Sequence, residues 1–349
     1  MLNIASIKKL QIILILILLI NSCSRQPEQK IYKKFRILMD TIITITVVSP
    51  SEKEAETAIN NAFSVIERLD KSLSSFSPDS DVSKINHSAG IDFVKVSTDT
   101  YQLINAAIKS AQISDGAFDP TIGPLVNLWD IADIIKPDAH ISPKLPALNK
   151  IKEKLMFVNY KDIIVDDHDM SIKLRKKGMA IDLGGIAKGY AADKAVAALK
   201  ASGIKSGIVS CAGDLKVFGN KPDNSNWLVG IRAPRGKLDD LIAVLSLKDL
   251  AVSTSGDYER FFIINGIRYH HILDPKTGYP ANGFQSVTLV NEQGIITDGL
   301  DTAVFVLGPK KGLELVNKMG LMAYFVYSDG SIYITDNLKK LIVPNDKKN

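Results

Sequence analysis

From Gly178 onward the chain is cut by turns into short runs rich in β-branched and aromatic residues, and this punctuation restricts the fold more than any other feature. The runs are Ile208 to Ser210, Trp227 to Arg232, Ala243 to Leu247, Phe261 to Ile264 and Ser286 to Val290. AYFVYS and SIYIT are separated by Asp329-Gly330, the strongest short signal for a two-residue hairpin. Strands joined so tightly pair antiparallel, because a parallel neighbour needs a crossover of a dozen or more residues. The expected class is α+β, with mixed, largely antiparallel sheets flanked by helices. Neither G-x-G-x-x-G nor G-x-x-x-x-G-K-[ST] occurs, so a Rossmann or P-loop nucleotide site lacks its main support.

The first half supplies the helices. Ser51 and Glu54 have the spacing of a capping box, and Ala55, Ile59, Ala62, Ile66, Leu69 and Leu73 recur on one helical face. A second helix is expected from about Thr98 to Ser114, stopping before Gly116. FRILMDTIITITVVS reads as a strand or hairpin opening the folded domain, with Met39 inside it. Asp130 to Asn149 contains prolines without a steady period and is expected as an irregular loop. The formal charge of +5 is spread along the chain, which is no nucleic-acid footprint.

The first residues differ in kind. Lys8 and Lys9 precede nine unbroken apolar residues, Ile12 to Ile20, too few to span a bilayer, which takes about 20. This is the charged and apolar pattern of an export signal. Ile20-Asn21-Ser22-Cys23 resembles the lipobox of bacterial lipoproteins, which implies a signal peptide over 1–22, lipidation at Cys23, a tether over 23–34 and a folded domain over 35–349. A simple secretory signal with Cys23 incidental is the alternative. The expected location is the bacterial cell envelope, lipid-anchored to a membrane and facing the periplasm or cell exterior. Cys211 is the one other cysteine, so no disulfide framework is expected; within GIVSCAG it reads as a buried, inert thiol.

Four stretches hold polar residues where a core would not want them. GAFDPTIGPLVNLW carries Asp119 and Thr121 among turn residues, with a capped turn as the plain alternative. In AIDLGGIAKGYAAD a strand ending at Ile181 is expected to pass through Asp182, Gly184 and Gly185 into a helix starting near Ile186. A helix N-terminus with paired glycines suits phosphate, and Lys188 adds a charge; close strand-to-helix packing explains the glycines equally well. In ITDGLDTAVFVLG, helical spacing puts Asp298 and Thr302 one turn apart with Asp301 close by. These are hard oxygen ligands suited to Mg²⁺, or else an N-cap and a solvated face. HHILDPKTGYP places His271 on a turn stiffened by Pro275 and Gly278, with His270 facing the opposite way. An imidazole that titrates near neutrality suits general base work on a hydroxyl.

Taken in order, MDT, SSFSPDSDVSKIN, FDPTIGP, DLGGIAKGYAAD, HILDPKTGYP and TDGLDTAVFVLG resemble the ApbE family of FAD:protein FMN transferases across nearly the whole chain after the signal. The resemblance implies a two-lobed architecture. It implies FAD contacts at Met39, Phe76, Asp119, Pro120, Thr121, Asp182, Lys188 and Ile272. It also implies Mg²⁺ held by the Gly185 carbonyl with Asp298, Asp301 and Thr302, and His271 as the base that activates an acceptor threonine. The reaction implied is Mg²⁺-dependent transfer of FMN from FAD to a threonine of an exported acceptor flavoprotein, with release of AMP. An FAD pyrophosphatase that uses water in place of threonine, and a flavin-binding lipoprotein without chemistry, are the competing readings. No nucleic-acid partner is expected.

Overall fold

The computed structural model describes residues 28–136, 143–237 and 239–344. The segment expected as an export signal and Cys23 lie outside the described residues. In chain order the elements begin with the hairpin β1 (Lys30–Leu38) and β2 (Thr41–Ser49) and helix α1 (Glu52–Leu73). There follow α2 (Asp81–His87), β3 (Val94–Lys95), α3 (Thr98–Ile113), α4 (Gly123–Trp129), α5 (Ile131–Ile134), α6 (Leu148–Leu155), β4 (Ile163–Asp166) and β5 (Ser171–Leu174). Helix α7 (Ala187–Ala201) leads into β6 (Gly207–Cys211), β7 (Asp214–Phe218), β8 (Trp227–Arg232) and β9 (Leu241–Leu247). The chain continues with β10 (Ala251–Gly256), β11 (Phe261–Ile264), β12 (Ile267–His270) and β13 (Phe284–Asn291). It closes with α8 (Gly294–Met319), β14 (Met322–Tyr327), β15 (Ile332–Ile334) and α9 (Asp336–Lys339).

The centre is an eight-stranded sheet in the order β1-β2-β6-β7-β10-β13-β14-β15, and each of its strand pairs is antiparallel, as the turn spacing requires. The Asp329-Gly330 turn joins β14 to β15, with Gly330 at φ 87°. Helices α1, α7 and α8 cover one face. The expected stripe on α1 is buried to the last residue, and Ser51 accepts the Glu54 amide hydrogen bond at 3.3 Å. The β8–β9 ribbon covers part of the other face, where Trp227, Val229, Ile231 and Leu245 pack on Val217, Val252, Val290 and Tyr324. Burial of a large apolar side chain stabilises by about 1.5–3 kcal/mol, so these two layers fix the sheet.

Three boundaries differ from the sequence reading. Strand β1 begins at Lys30, inside the stretch expected as tether, because it pairs with β2 from Lys30↔Ser49 onward. Residues 175–181 form no strand. Ala180 makes only an isolated parallel bridge with Ile122, and the Ile181 backbone is bonded on both sides by the Asn86 amide instead of by a ladder. Between Asp130 and Asn149, α5 and the first turn of α6 are ordered; residues 137–142 of that stretch lie outside the described residues.

Candidate active site

Helices α7 and α8 cross where a glycine faces a glycine. A Cβ on Gly189 would lie 2.1 Å from the Gly294 carbonyl oxygen and 2.7 Å from Asp298 Cβ, so only glycine permits the approach. Each helix then caps the other. The Gly189 amide donates to Asp298 Oδ2 at 2.7 Å, while Asp193 accepts from the amides of Gly294 (3.0 Å) and Ile295 (2.9 Å). For Gly184 and Gly185 the sequence left phosphate cradling and close packing equally open; in the first turn of the helix that follows, the Gly189 amide is taken up by Asp298, which is held at the positive end of α7.

Asp298 sits in a buried group with Asp301 and Asp214, whose carboxylate oxygens all lie within 4.8 Å of one another. Asp214 starts β7 after a turn with Ala212 at φ 55° and Gly213 at φ 95°. Its partner is Lys188, which forms an ion pair with it from the first turn of α7. Burial pushes the Asp298 carboxyl up, against the pull of Lys188 and the helix amides. Burial and repulsion from Asp298 push Asp301 well up. Three carboxylates against one ammonium leave two negative charges, the complement of one divalent cation. Thr302 adds a hydroxyl 3.1 Å from Ser255 Oγ, and Gly185 runs alongside, a Cβ there falling 3.4 Å from Thr302 Oγ1. The donor set is all oxygen, which fits Mg²⁺. No metal-binding residue had been expected at Asp214; an aspartate directly after an Ala-Gly turn was the only signal for it.

These acids floor a cleft of about 780 Å³, in the range of cofactor sites. Met39 and Phe76 stand on its wall, Met39 at φ 52° in the β1–β2 turn and Phe76 77% exposed. Asp119, Asp182, Gly185, Lys188, Ile272, Asp301 and Thr302 also line it. Pro120 and Thr121 do not. The Pro120 carbonyl accepts the Asp182 amide at 2.8 Å, and Thr121 donates its hydroxyl to Asp119 Oδ1 at 2.6 Å. The second Asp119 oxygen accepts the Tyr160 amide at 2.9 Å. Asp119 is thus a buried clasp in the wall, its carboxyl pushed up by desolvation against three hydrogen bonds. Arg232, Tyr258 and Arg260 line the same cleft and were not singled out in the sequence; they lie on no motif, and only tertiary folding brings them there.

The two histidines part as the strand alternation requires. His270 is buried, donates Nε2–H to the Ala281 carbonyl at 2.7 Å and accepts the Ile272 amide on Nδ1 at 3.3 Å. His271 is exposed on the cleft wall. Its Nδ1 lies 3.3 Å from the Arg260 carbonyl, which can only accept, so Nδ1 carries the proton and Nε2 keeps its lone pair. The turn behind it is locked. Asp274 accepts from the Lys276 amide (2.8 Å) and the Thr277 hydroxyl (3.1 Å), Trp129 donates to the Gly278 carbonyl (2.7 Å), and Gly278 has φ 73°. The expectation of titration near neutrality is corrected. Although open to the cleft, the ring is walled in by protein; desolvation first, then neighbouring His270, Arg260 and Lys188, push its pKa down to about 3. It is therefore neutral across the physiological range. The Cys211 thiol, fully buried, is pushed up to about 12 by desolvation and is inert, as expected.

A family model described as the ApbE family matches residues 39–325. The chain is 32% identical over 330 residues to the FAD:protein FMN transferase of Treponema pallidum (strain Nichols), across 89% of this chain and 88% of that protein. Among solved structures, the ApbE protein from Thermotoga maritima superposes with a TM-score of 0.82 at 37% identity, covering 90% of this chain and 100% of that one. The flavinyl transferase ApbE of Pseudomonas stutzeri, in its apo form, gives a TM-score of 0.78 at 32% identity, with 90% and 97% covered.

Proposed function

The chain belongs to the ApbE family, and on that premise we propose that it is an FAD:protein FMN transferase acting on a threonine of an exported acceptor flavoprotein. The hydroxyl oxygen of that threonine attacks the FMN-side phosphorus of FAD. A new P–O bond forms, the bond from the FMN-side phosphorus to the bridging oxygen breaks, and AMP leaves with that oxygen. The hydroxyl proton passes to Nε2 of His271, whose tautomer leaves that nitrogen free. Asp298, Asp301, Thr302 and the Gly185 carbonyl would hold Mg²⁺, with Asp214 beside them; bound there, Mg²⁺ supplies charge neutralisation for the pyrophosphate. Met39, Phe76, Asp182 and Ile272 line the room for flavin and ribityl chain. Cys23 carries the lipid that holds the enzyme on a membrane of the cell envelope.

The observation that carries this reading is the buried acidic group sharing one cleft with a neutral, exposed imidazole. A protein that merely stores flavin has no use for that arrangement. The test incubates the purified protein with FAD, Mg²⁺ and a threonine-containing acceptor protein, following acceptor mass and AMP. A gain of one FMN per acceptor, abolished by EDTA and by Asp298→Ala, is the expected result. AMP and free FMN with an unmodified acceptor would make it a pyrophosphatase, and no AMP at all would make it a binder.

A further inference from the structure

The β1–β2 hairpin uses one side and leaves the other bare. On the used side Arg36 bonds to Glu67 and lies over the Phe63 ring, Lys34 pairs with Glu56, and Tyr32 and Leu38 pack on the core under α1. The other side carries Ile31, Phe35 and Ile37 from β1 and Ile42 from β2, with relative exposures of 50%, 68%, 76% and 60%. The pairing puts them on one surface, since Ile31 opposes Val48, Phe35 opposes Thr44 and Ile37 opposes Ile42. The cluster beneath the β8–β9 ribbon takes only Val48 from this hairpin, so among the described residues nothing else in that layer shields these side chains. Soluble surfaces scatter single apolar residues; four on one hairpin face mark a contact surface.

We propose that this face of the hairpin rests on the lipid bilayer and orients the enzyme there. The proposal builds on the lipid anchor at Cys23 given above. Lys30 comes seven residues after Cys23, and even fully extended that stretch reaches no more than about 25 Å, so the lipid enters the bilayer close to the start of β1. The chemistry of the face fits a bilayer interface. Lys33 lies between Ile31 and Phe35 on the same side, which puts a cation at headgroup depth beside apolar side chains. One lipid group restrains position without orientation, and a flat apolar face supplies the second contact. Since the same hairpin carries Met39, Asp40 and Thr41 to the cleft, the cleft mouth would be held at a fixed height above the membrane.

The test uses the full chain in two forms. First, Cys23→Ser protein is sedimented with vesicles of 70% phosphatidylcholine and 30% phosphatidylglycerol. Weak binding is expected, falling by roughly tenfold or more when Phe35→Asp and Ile37→Asp are added, and also falling on pure phosphatidylcholine. Second, lipidated Phe35→Trp protein is bound to vesicles containing brominated lipid. Quenching of the introduced indole is expected, while Trp129 and Trp227, 1% and 5% exposed, stay bright. Quenching without lipidation at Cys23 would leave the surface standing and remove the anchor. A lipidated, vesicle-bound protein whose introduced indole stays unquenched, or vesicle binding indifferent to both aspartates, would overturn the surface and spare the anchor. A concentration-dependent dimer abolished by the aspartates, with no vesicle binding, would assign the face to a second copy and overturn the proposal.

Discussion

Side chain by side chain, the site separates groups that react from groups that hold. His271 keeps an unprotonated Nε2 at every pH where the enzyme works, because its pKa is pushed down to about 3. The consequence is a weaker base than free imidazole, but one that never needs deprotonating. His271→Ala should lose about 10²- to 10⁴-fold in single-turnover FMN transfer at saturating FAD. The wild-type profile should show no inflection from this group between pH 6 and 8, and the variant's deficit should shrink as pH rises. Near-wild-type transfer, or a defect cured by adding FAD, would remove His271 from the base role. Asp214 is a holder: it fixes Lys188 and contributes charge to the acid group. Asp214→Asn should weaken Mg²⁺ binding about 10- to 100-fold by calorimetry while leaving the chain folded. Unchanged affinity would confine Asp214 to its ion pair.

Among the elements, the crossing of α7 and α8 sets the geometry of the acids. Gly189→Ala forces a methyl into the Gly294 carbonyl, and no rotamer relieves a backbone clash. The helices must part, at a cost of about 3 kcal/mol, and Asp298 moves with them. The expected result is a lower melting temperature together with weaker Mg²⁺ binding; a wild-type value for both would mean the crossing yields freely. Much at this scale was legible in the sequence. The α1 stripe, the strands Trp227–Arg232 and Phe261–Ile264, and the stiff turn at Gly278 all follow from local patterns that local physics decides. The mutual caps were not, because Asp193 and Gly294 are 101 residues apart in sequence. The missing strand before Gly184 failed for the same reason: the Asn86 side chain, distant in sequence, takes the Ile181 backbone groups that a ladder would have used. The candidate site was read through the family's motifs, which carried Asp298, Asp301 and His271 but not Asp214, whose one signal was the Ala-Gly turn before it.

For the molecule as a whole, burying uncompensated acids ties stability to pH and to metal. In the metal-free fold Asp298 and Asp301 hold their protons more tightly than the unfolded chain does, both being raised above 3.8. Their contribution to stability is therefore full below the unfolded carboxyl pKa and is lost as pH rises through the raised values. The depressed imidazoles act with the opposite sign: their contribution is present above about 6.5, the unfolded value, and is lost as pH falls toward their folded values. Above pH 7 the histidines are neutral folded or unfolded, so only the acids are read there. At pH 8, Mg²⁺ at 100 times its dissociation constant should stabilise by about 2.7 kcal/mol, roughly 4 °C in melting temperature for a chain of this size. At pH 5 the gain should be smaller, because protons compete for the same oxygens. Asp301→Asn, which removes a buried charge, should melt higher than the wild type without metal at pH 8 and gain little from Mg²⁺. Differential scanning calorimetry of both proteins, with Mg²⁺ and with EDTA at the two pH values, decides it. An equal Mg²⁺ increment in wild type and Asp301→Asn would place the metal elsewhere, and a larger increment at pH 5 than at pH 8 would contradict the sign argued for the buried carboxyls.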